Sequence, residues 1–408
     1  MKKSIAVFIV IAVALLSISA VLAADVEVTW WHTFTEGQEA ILQEIIAEFN
    51  EANPGIKVVA ESQPYDGFLA KVYEAVSTGT GPDIIFNYAS TAADYIPDGL
   101  IVDQSKYMES DYKARVSEGI YAESTGFEDG GLYAVAVQST GPILFYNKTM
   151  FDKVGFSAPK TWDEVEEAAK AIYAEYKIPG FAFDSLTDGM QAFLLQGGGK
   201  YVDLEKKTVL FNTPEFVASV DWYAKGVREG YFGLAPTTGN YFSNDMSARQ
   251  LAAYAGSSAG LPYLNLGDDE LAAAPLPQTA GGTNWAPAWT RSALVFASDE
   301  ETERAAVKFV EYFTNPENAG RWAEAVVAFT PYNDTAELDS FKAFVSGNIA
   351  LTALSEQAPY AYALPSFTGA NTVRDELKAL IEKVATDQMS AADAVSAAEA
   401  TSNAAMQE

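Results

Sequence analysis

The run Gly256-Ser257-Ser258-Ala259-Gly260 fits G-x-S-x-G, the turn that presents a hydrolase nucleophile. Such a serine needs a histidine base, placed downstream of it in hydrolases of this type. The chain has one histidine, His32, far upstream, so the motif lacks its proton acceptor. Cysteine is absent, which removes thiol nucleophiles, disulfides and thiolate metal sites. Asp268-Asp269-Glu270 is an isolated acidic turn, expected to be solvated, and no His, Asp or Glu cluster has ligand spacing. No G-x-G-x-x-G or Walker pattern opens a helix after a strand, so neither a metal nor a cofactor is expected. A glycosidase needs only two carboxylates. The chain has 55 acidic residues, yet no close pair stands at a strand end, and a glycosidase-like enzyme is kept as the alternative.

A second group of residues suits recognition better than catalysis. Trp285 and Trp289 lie in TAGGTNWAPAWTRSALVF, a Pro/Gly-flanked approach to a strand. A flat indole is a platform for the apolar face of a sugar. Arg291 shares strand parity with Trp289 and either meets a ligand or pairs with an acid. Ser139, Thr140, Ser257 and Ser258 are short donors on loops, and small residues at helix starts let backbone N–H groups approach a phosphate or hydroxyl. Tyr65 and Tyr88 stand at strand-to-helix turns, where Tyr65 serves a ligand or caps a core. The nitrogens of His32 can satisfy local backbone as readily as a ligand.

The elements that would position these residues alternate strand and helix, the pattern of α/β folds. Val26 to Trp30 reads as a strand. The next helix puts Ile41, Leu42, Ile45, Ile46 and Phe49 on one face, and Asn53-Pro54-Gly55 breaks it into a strand over 56–60. A helix over 66–77 and a strand over 84–86 follow. In open α/β sheets the ligand crevice lies beyond the carboxyl ends of the strands, which selects the loops 31–36, 65–67 and 87–91. Further on, an apolar strand (Ile143, Leu144, Phe145) leads to Thr161, which caps an acidic helix with Glu164 as capping-box partner.

Lys2-Lys3, the apolar run from Ile5 to Ile18 and Val21-Leu22-Ala23 form a secretory leader, expected to be cut after Ala23. About 385 residues then remain, more than one hydrophobic core usually holds, so two lobes are expected. With no cysteine there is no lipid-anchor site, and the expected location is a periplasm. The formal charge of −29, from 26 basic and 55 acidic residues, repels nucleic acid and anionic membranes. Nucleic acid is excluded as a partner.

The stretch GPILFYNKTMFDKVGFSAPKTWDE (141–164) resembles the crossover strand and following helix of the extracellular solute-binding proteins of ABC importers, in their sugar-binding cluster. WWHTF, YDGFLAKVYEAVSTGTGPDII, FNTPEFVASVDWYAKGV, AAYAGSSAGL and TNPENAGRWAE fall in the same family order, over nearly the whole chain after the leader. The resemblance implies an α/β, two-lobed periplasmic-binding-protein fold, type II-like, with discontinuous lobes and a ligand cleft between them. Lobe one would hold 24–138 and 290–331, and lobe two 139–289 and 332–408, after a leader over 1–23. It also implies a monomer that captures a sugar, polyol or glycerol phosphate ester by hinge closure, without chemistry, and passes it to the permease subunits of an ABC importer. Within the family's glycerol-phosphate-binding branch, Trp31-His32, Tyr65-Asp66, Ser139-Thr140-Gly141-Pro142, Gly256-Ser257-Ser258 and Arg374 match positions of that branch's site. Ala89 departs from it, standing where that branch carries a glutamate.

Overall fold

A computed structural model describes residues 26–407, apart from positions 66, 240, 366 and 368 and the side chain at 36. The leader expected over 1–23 and Asp66 lie outside the described residues. The strands of the two main sheets, in chain order, are β1 (Val26–His32), β2 (Ile56–Ser62), β3 (Ile84–Tyr88), β4 (Val135–Thr140), β5 (Pro142–Asn147), β6 (Ala182–Phe183), β7 (Ala253–Ser257), β8 (Leu271–Ala274) and β9 (Trp289–Val295). They build two sheets, β2-β1-β3-β9-β4 and β8-β5-β7-β6. In the first, β1 runs parallel to β2 and β3, and β9 returns antiparallel between β3 and β4. The chain is therefore α/β with two main sheets, one per lobe, beside two small two-stranded ones.

Helix α1 (Glu36–Ala52) buries Leu42, Ile45, Ile46 and Phe49 along one face, at the three- and four-residue spacing of an amphipathic helix. Helix α2 (Phe68–Ser77) buries Phe68, Val72 and Val76, and α3 (Ala89–Ala93) starts directly at the end of β3. In the second lobe α4 (Trp162–Tyr176) opens with the full Thr161/Glu164 capping box, as its sequence predicts. Each sheet has an aromatic core. Trp30, Phe86, Phe313 and Trp322 pack together on the first, and Trp162, Phe181, Phe183 and Phe193 on the second. In the acidic turn Asp268-Asp269-Glu270, Asp268 and Glu270 are exposed, as expected, and Asp269 is fastened. Asp269 takes Arg249 and the Asn147 amide (2.7 Å), and Glu270 pairs with Lys148 at 3.1 Å.

The passage between sheets is short. β4 ends at Thr140 and β5 starts at Pro142, with only Gly141 between them. A Cβ on Gly141 would stand 2.8 Å from the Pro287 carbonyl oxygen, so glycine lets the outgoing and returning segments touch. The return is paired to the exit, with Trp289 opposite Thr140 and Thr290 opposite Ser139. A third segment joins through the bridge between Ser139 and Phe329. The lobes thus meet at a bundle of extended, hydrogen-bonded strands.

Candidate binding cleft

Between the sheets lies a cavity of about 760 Å³. The first lobe contributes Thr33 after β1, Tyr65 and Gly67 after β2, and the segment Asn87 to Thr91 across the end of β3. These are the carboxyl ends of parallel strands, where α/β sheets bind ligands. Asn87 shapes its turn by accepting from the Tyr88 backbone N–H (2.8 Å) and the Thr91 hydroxyl (3.1 Å). The second lobe contributes Ser185, with Asp188 and Gln191 of α5 (Leu186–Gln196), then Tyr201, and Phe367, Asn371 and Arg374 around the start of α6 (Ala370–Ala385). Trp289, Thr290 and Arg291 enter from the crossing strand.

Charge within the cleft is mixed. The chain has seven arginines, and among the described residues six sit within 4 Å of a carboxylate. Arg291 is the exception. Its guanidinium lies 5.5 Å from the Phe34 ring centroid and 5.8 Å from that of Tyr88, with its donors open to the cleft. A register shift in the β9–β4 pairing falls between Arg291 and Ser292, an irregularity of the kind that re-aims a side chain. Arg374 stands 3.8 Å from Asp188 Oδ1. Burial pushes the Asp188 carboxyl up, and Arg374 opposes that shift.

Glu123 also reaches this cavity, beside Thr290 of the crossing strand. Burial pushes its carboxyl from 4.5 up to about 7, with Thr290 pulling it down. A carboxyl raised on folding holds its proton more tightly in the folded chain, so it subtracts stability as pH rises through that window. Wild-type thermal stability is therefore expected to fall, relative to Glu123→Gln, as pH goes from 4.5 to about 7. Parallel melting curves across that range check this, and curves that stay parallel count against a raised Glu123.

Of the residues singled out from sequence, Tyr65, Tyr88, Trp289, Arg291 and Arg374 line the main cavity. Ser139 and Thr140 line an adjoining cavity of about 660 Å³ on the crossing segments. Ser257 lines a small chamber beside the cleft, whereas Ser258 is buried and donates its hydroxyl to the Val327 carbonyl at 3.2 Å. His32 does not reach the cleft. Strand parity puts it on the buried face with Val28 and Trp30, stacked beside Phe34, where its Nδ1 accepts from the Phe34 N–H. Burial holds that imidazole below its ordinary value. Trp285 is also buried. Gln278 takes its backbone N–H at 2.9 Å and Gln196 donates to its carbonyl at 2.8 Å, which ties the loop to the second core.

Sequence reasoning missed Glu123, Asp188, Gln191 and Tyr201. One signal was present for Asp188. Ser185-Leu186-Thr187-Asp188 is an N-cap pattern immediately after β6, and Ser185 does accept the Asp188 N–H. A helix start at a strand's carboxyl end is a site position by the rule that selected Tyr65. Among the described residues no helix is long and apolar enough to cross a membrane, and no cluster of three His, Cys, Asp or Glu could hold a metal ion.

A family profile of bacterial extracellular solute-binding proteins matches residues 44–353. The sn-glycerol-3-phosphate-binding periplasmic protein of Brucella abortus is 33% identical over 182 residues, 42% of either chain. The chain spans between 32% and 42% of the length of the curated relatives it matches. Among solved structures, the GacH receptor of Streptomyces glaucescens, described unliganded and with acarbose, superposes with a TM-score of 0.84 at 19% identity, covering 95% of this chain and 100% of that one. A substrate-binding protein of Listeria monocytogenes in complex with cycloalternan gives 0.83 at 20% identity, over 94% of this chain and 99% of that one. At these identities the likeness is one of fold.

Proposed function

This chain belongs to the bacterial extracellular solute-binding protein family, and from that premise we propose that it is the exported receptor of an ABC importer. It captures a sugar, polyol or glycerol phosphate ester in the interlobe cleft by hinge closure and hands it unaltered to a membrane permease. The observation that carries this reading is the cleft itself. Aromatic faces (Tyr65, Tyr88, Trp289) and polar groups (Arg291, Arg374) converge on it from both lobes and from the crossing strand. An apolar lining with a few placed polar groups is the usual composition of a small-molecule site. Paired strands at the crossing allow the lobes to rotate while each core stays intact. In this reading the lobes comprise 24–138 with 290–331, and 139–289 with 332–408.

Among the described residues the G-x-S-x-G serine lacks its base. Ser258 is fastened to the Val327 carbonyl, and His32 is enclosed in the other lobe's core. In this reading the receptor acts as a monomer in the periplasm. The names of the relatives support two of these three solute classes: one is a glycerol 3-phosphate binder, and structural neighbours are described with acarbose and cycloalternan.

Tyr65 is 64% exposed at the cleft mouth, and closure would cover it. Small-angle scattering is expected to give a smaller radius of gyration at saturating solute than without it. Calorimetry with a panel of disaccharides, polyols and sn-glycerol 3-phosphate identifies the solute, and mass spectrometry of the recovered compound should show it unchanged. A particle of unchanged size at saturation would sink hinge closure, and a cleaved product would favour a carbohydrate-active enzyme.

A further inference from the structure

Beside Trp289 the cleft continues into a side chamber of about 230 Å³. Tyr65, Ser185, Asp188 and Trp289 line both spaces. The chamber is smaller than the roughly 300 Å³ at which self-sufficient small-molecule pockets begin, so it extends the cleft rather than forming a separate site. Its polar equipment differs from that of the main cavity. Two carboxylates, Asp184 and Asp188, border it together with Ser185 and Ser257, against Phe183, Leu276 and the Trp289 indole.

Asp188 is only 5% exposed, and its Oδ1 makes no hydrogen bond of normal geometry, although Ser185 and the Trp289 side chain stand beside the carboxylate. Its nearest cation, Arg374, stands off at 3.8 Å. A buried acceptor without a donor is costly unless something arrives to complete it. Asp184 is exposed to the chamber and half committed. Its Oδ1 accepts the Phe242 N–H at 3.0 Å. Its Oδ2 lies over Gly256, where an added Cβ would come within 2.9 Å. Glycine at 256 leaves space first for the Tyr254 ring, which an added Cβ would meet at 2.5 Å, and also for this second oxygen at the chamber wall.

We propose that this chamber is a hydroxyl subsite, which takes the uncharged sugar-ring or polyol end of the solute and receives its hydroxyls on Asp184 and Asp188. Any anionic group of the same solute stays outside, at Arg291. Burial raises the Asp184 carboxyl from 3.8 to about 6 and raises that of Asp188 as well; once ionised, a carboxylate only accepts, so it matches vicinal hydroxyls and repels a phosphate. An ammonium group is disfavoured by Arg374, already beside Asp188. The Trp289 and Tyr65 rings supply the apolar face that a sugar or glycerol carbon skeleton needs. This inference rests on the solute-capture reading above and adds which end of the solute points where.

Calorimetry on the purified protein with maltose and sn-glycerol 3-phosphate separates the two sources of the hydroxyls. Asp184→Asn is the informative variant. The asparagine oxygen keeps the Phe242 N–H, which turns the amide NH₂ into the place of Oδ2 and replaces an acceptor with a donor. Asp184→Asn and Asp188→Asn are each expected to weaken whichever probe binds by tenfold or more, with the ligand-free melting midpoint unchanged. Arg291→Gln should weaken sn-glycerol 3-phosphate alone. Inorganic phosphate, as a competitor, should hold its strength or gain in both aspartate variants. If Asp188→Asn lowers the ligand-free midpoint, Asp184→Asn carries the test by itself. A loss below twofold in Asp184→Asn, for a probe that wild type binds, overturns the subsite and leaves solute capture standing. Weaker phosphate competition in that variant overturns it as well. If wild type binds neither these probes nor any member of the wider panel, solute capture fails and the subsite fails with it.

Discussion

Trp322→Ala is expected to destabilise the first lobe by about 3–5 kcal/mol, the usual cost of emptying a large buried aromatic site. Trp322 is fully buried, on the helix over 316–325. Its ring meets Phe34, Phe86 and Phe313 edge-on, at centroid distances of 4.7, 6.4 and 5.4 Å. Four aromatics arranged edge to face cannot close over the missing indole without breaking their mutual geometry. The indole N–H also donates to Gln138 Oε1 at 2.9 Å, and the variant leaves that buried amide oxygen without a donor. Native domains are stable by only about 5–15 kcal/mol, so the first lobe's transition should move to markedly lower denaturant. A loss below about 1 kcal/mol in guanidinium unfolding would show that this aromatic cluster does not hold the lobe.

The same residue links the core to the cleft. Gln138 lies on β4 directly opposite Arg291 of β9. By fixing Gln138, Trp322 fixes the strand pair that carries Arg291 and Trp289 to the cleft wall. Any loss of ligand affinity in Trp322→Ala should therefore track the loss of stability and vanish under conditions where the variant is fully folded.

Much of this was legible in the sequence because the signals are local. Period-two strands ending in turn residues gave β1, β2 and β3, and the rule about strand ends then pointed to Tyr65 and Tyr88. The Thr161/Glu164 box is a four-residue pattern and needs no tertiary knowledge. Strand parity was just as local, and it should have excluded His32, which alternates in phase with Val28 and Trp30. Trp285 and Ser258 were lost for a different reason. Their surroundings are set by Gln196, Gln278 and Val327, partners that no local pattern announces. Asp188 shows the converse. As an acid in a helix's first turn it reads as an ordinary dipole partner, and only the folded chain brings Arg374 and Trp289 to its side, from 186 and 101 positions away in the numbering.

Trp289→Ala should weaken solute binding by about 1–3 kcal/mol, the scale of losing a well-packed aromatic contact at the centre of a binding surface. That is roughly 5- to 150-fold in Kd. Trp289 opens β9, opposite Thr140, and its partly exposed ring borders both the main cavity and the side chamber. No aromatic core cluster includes it, so the ligand-free protein should keep nearly its full melting midpoint. Trp285, four residues earlier, gives the contrast. It is buried beneath the cleft, so Trp285→Ala should lower the ligand-free midpoint and change affinity only through that loss. Measured together, the pair distinguishes a platform that touches solute from a support that holds the loop. If Trp289→Ala unfolds the ligand-free protein while affinity at low temperature survives, the indole belongs to the scaffold and the aromatic wall of the cleft reduces to Tyr65 and Tyr88. If both variants bind solute as wild type does, stacking on the crossing strand contributes nothing to recognition, and the donors of Arg291 and Arg374 must carry it.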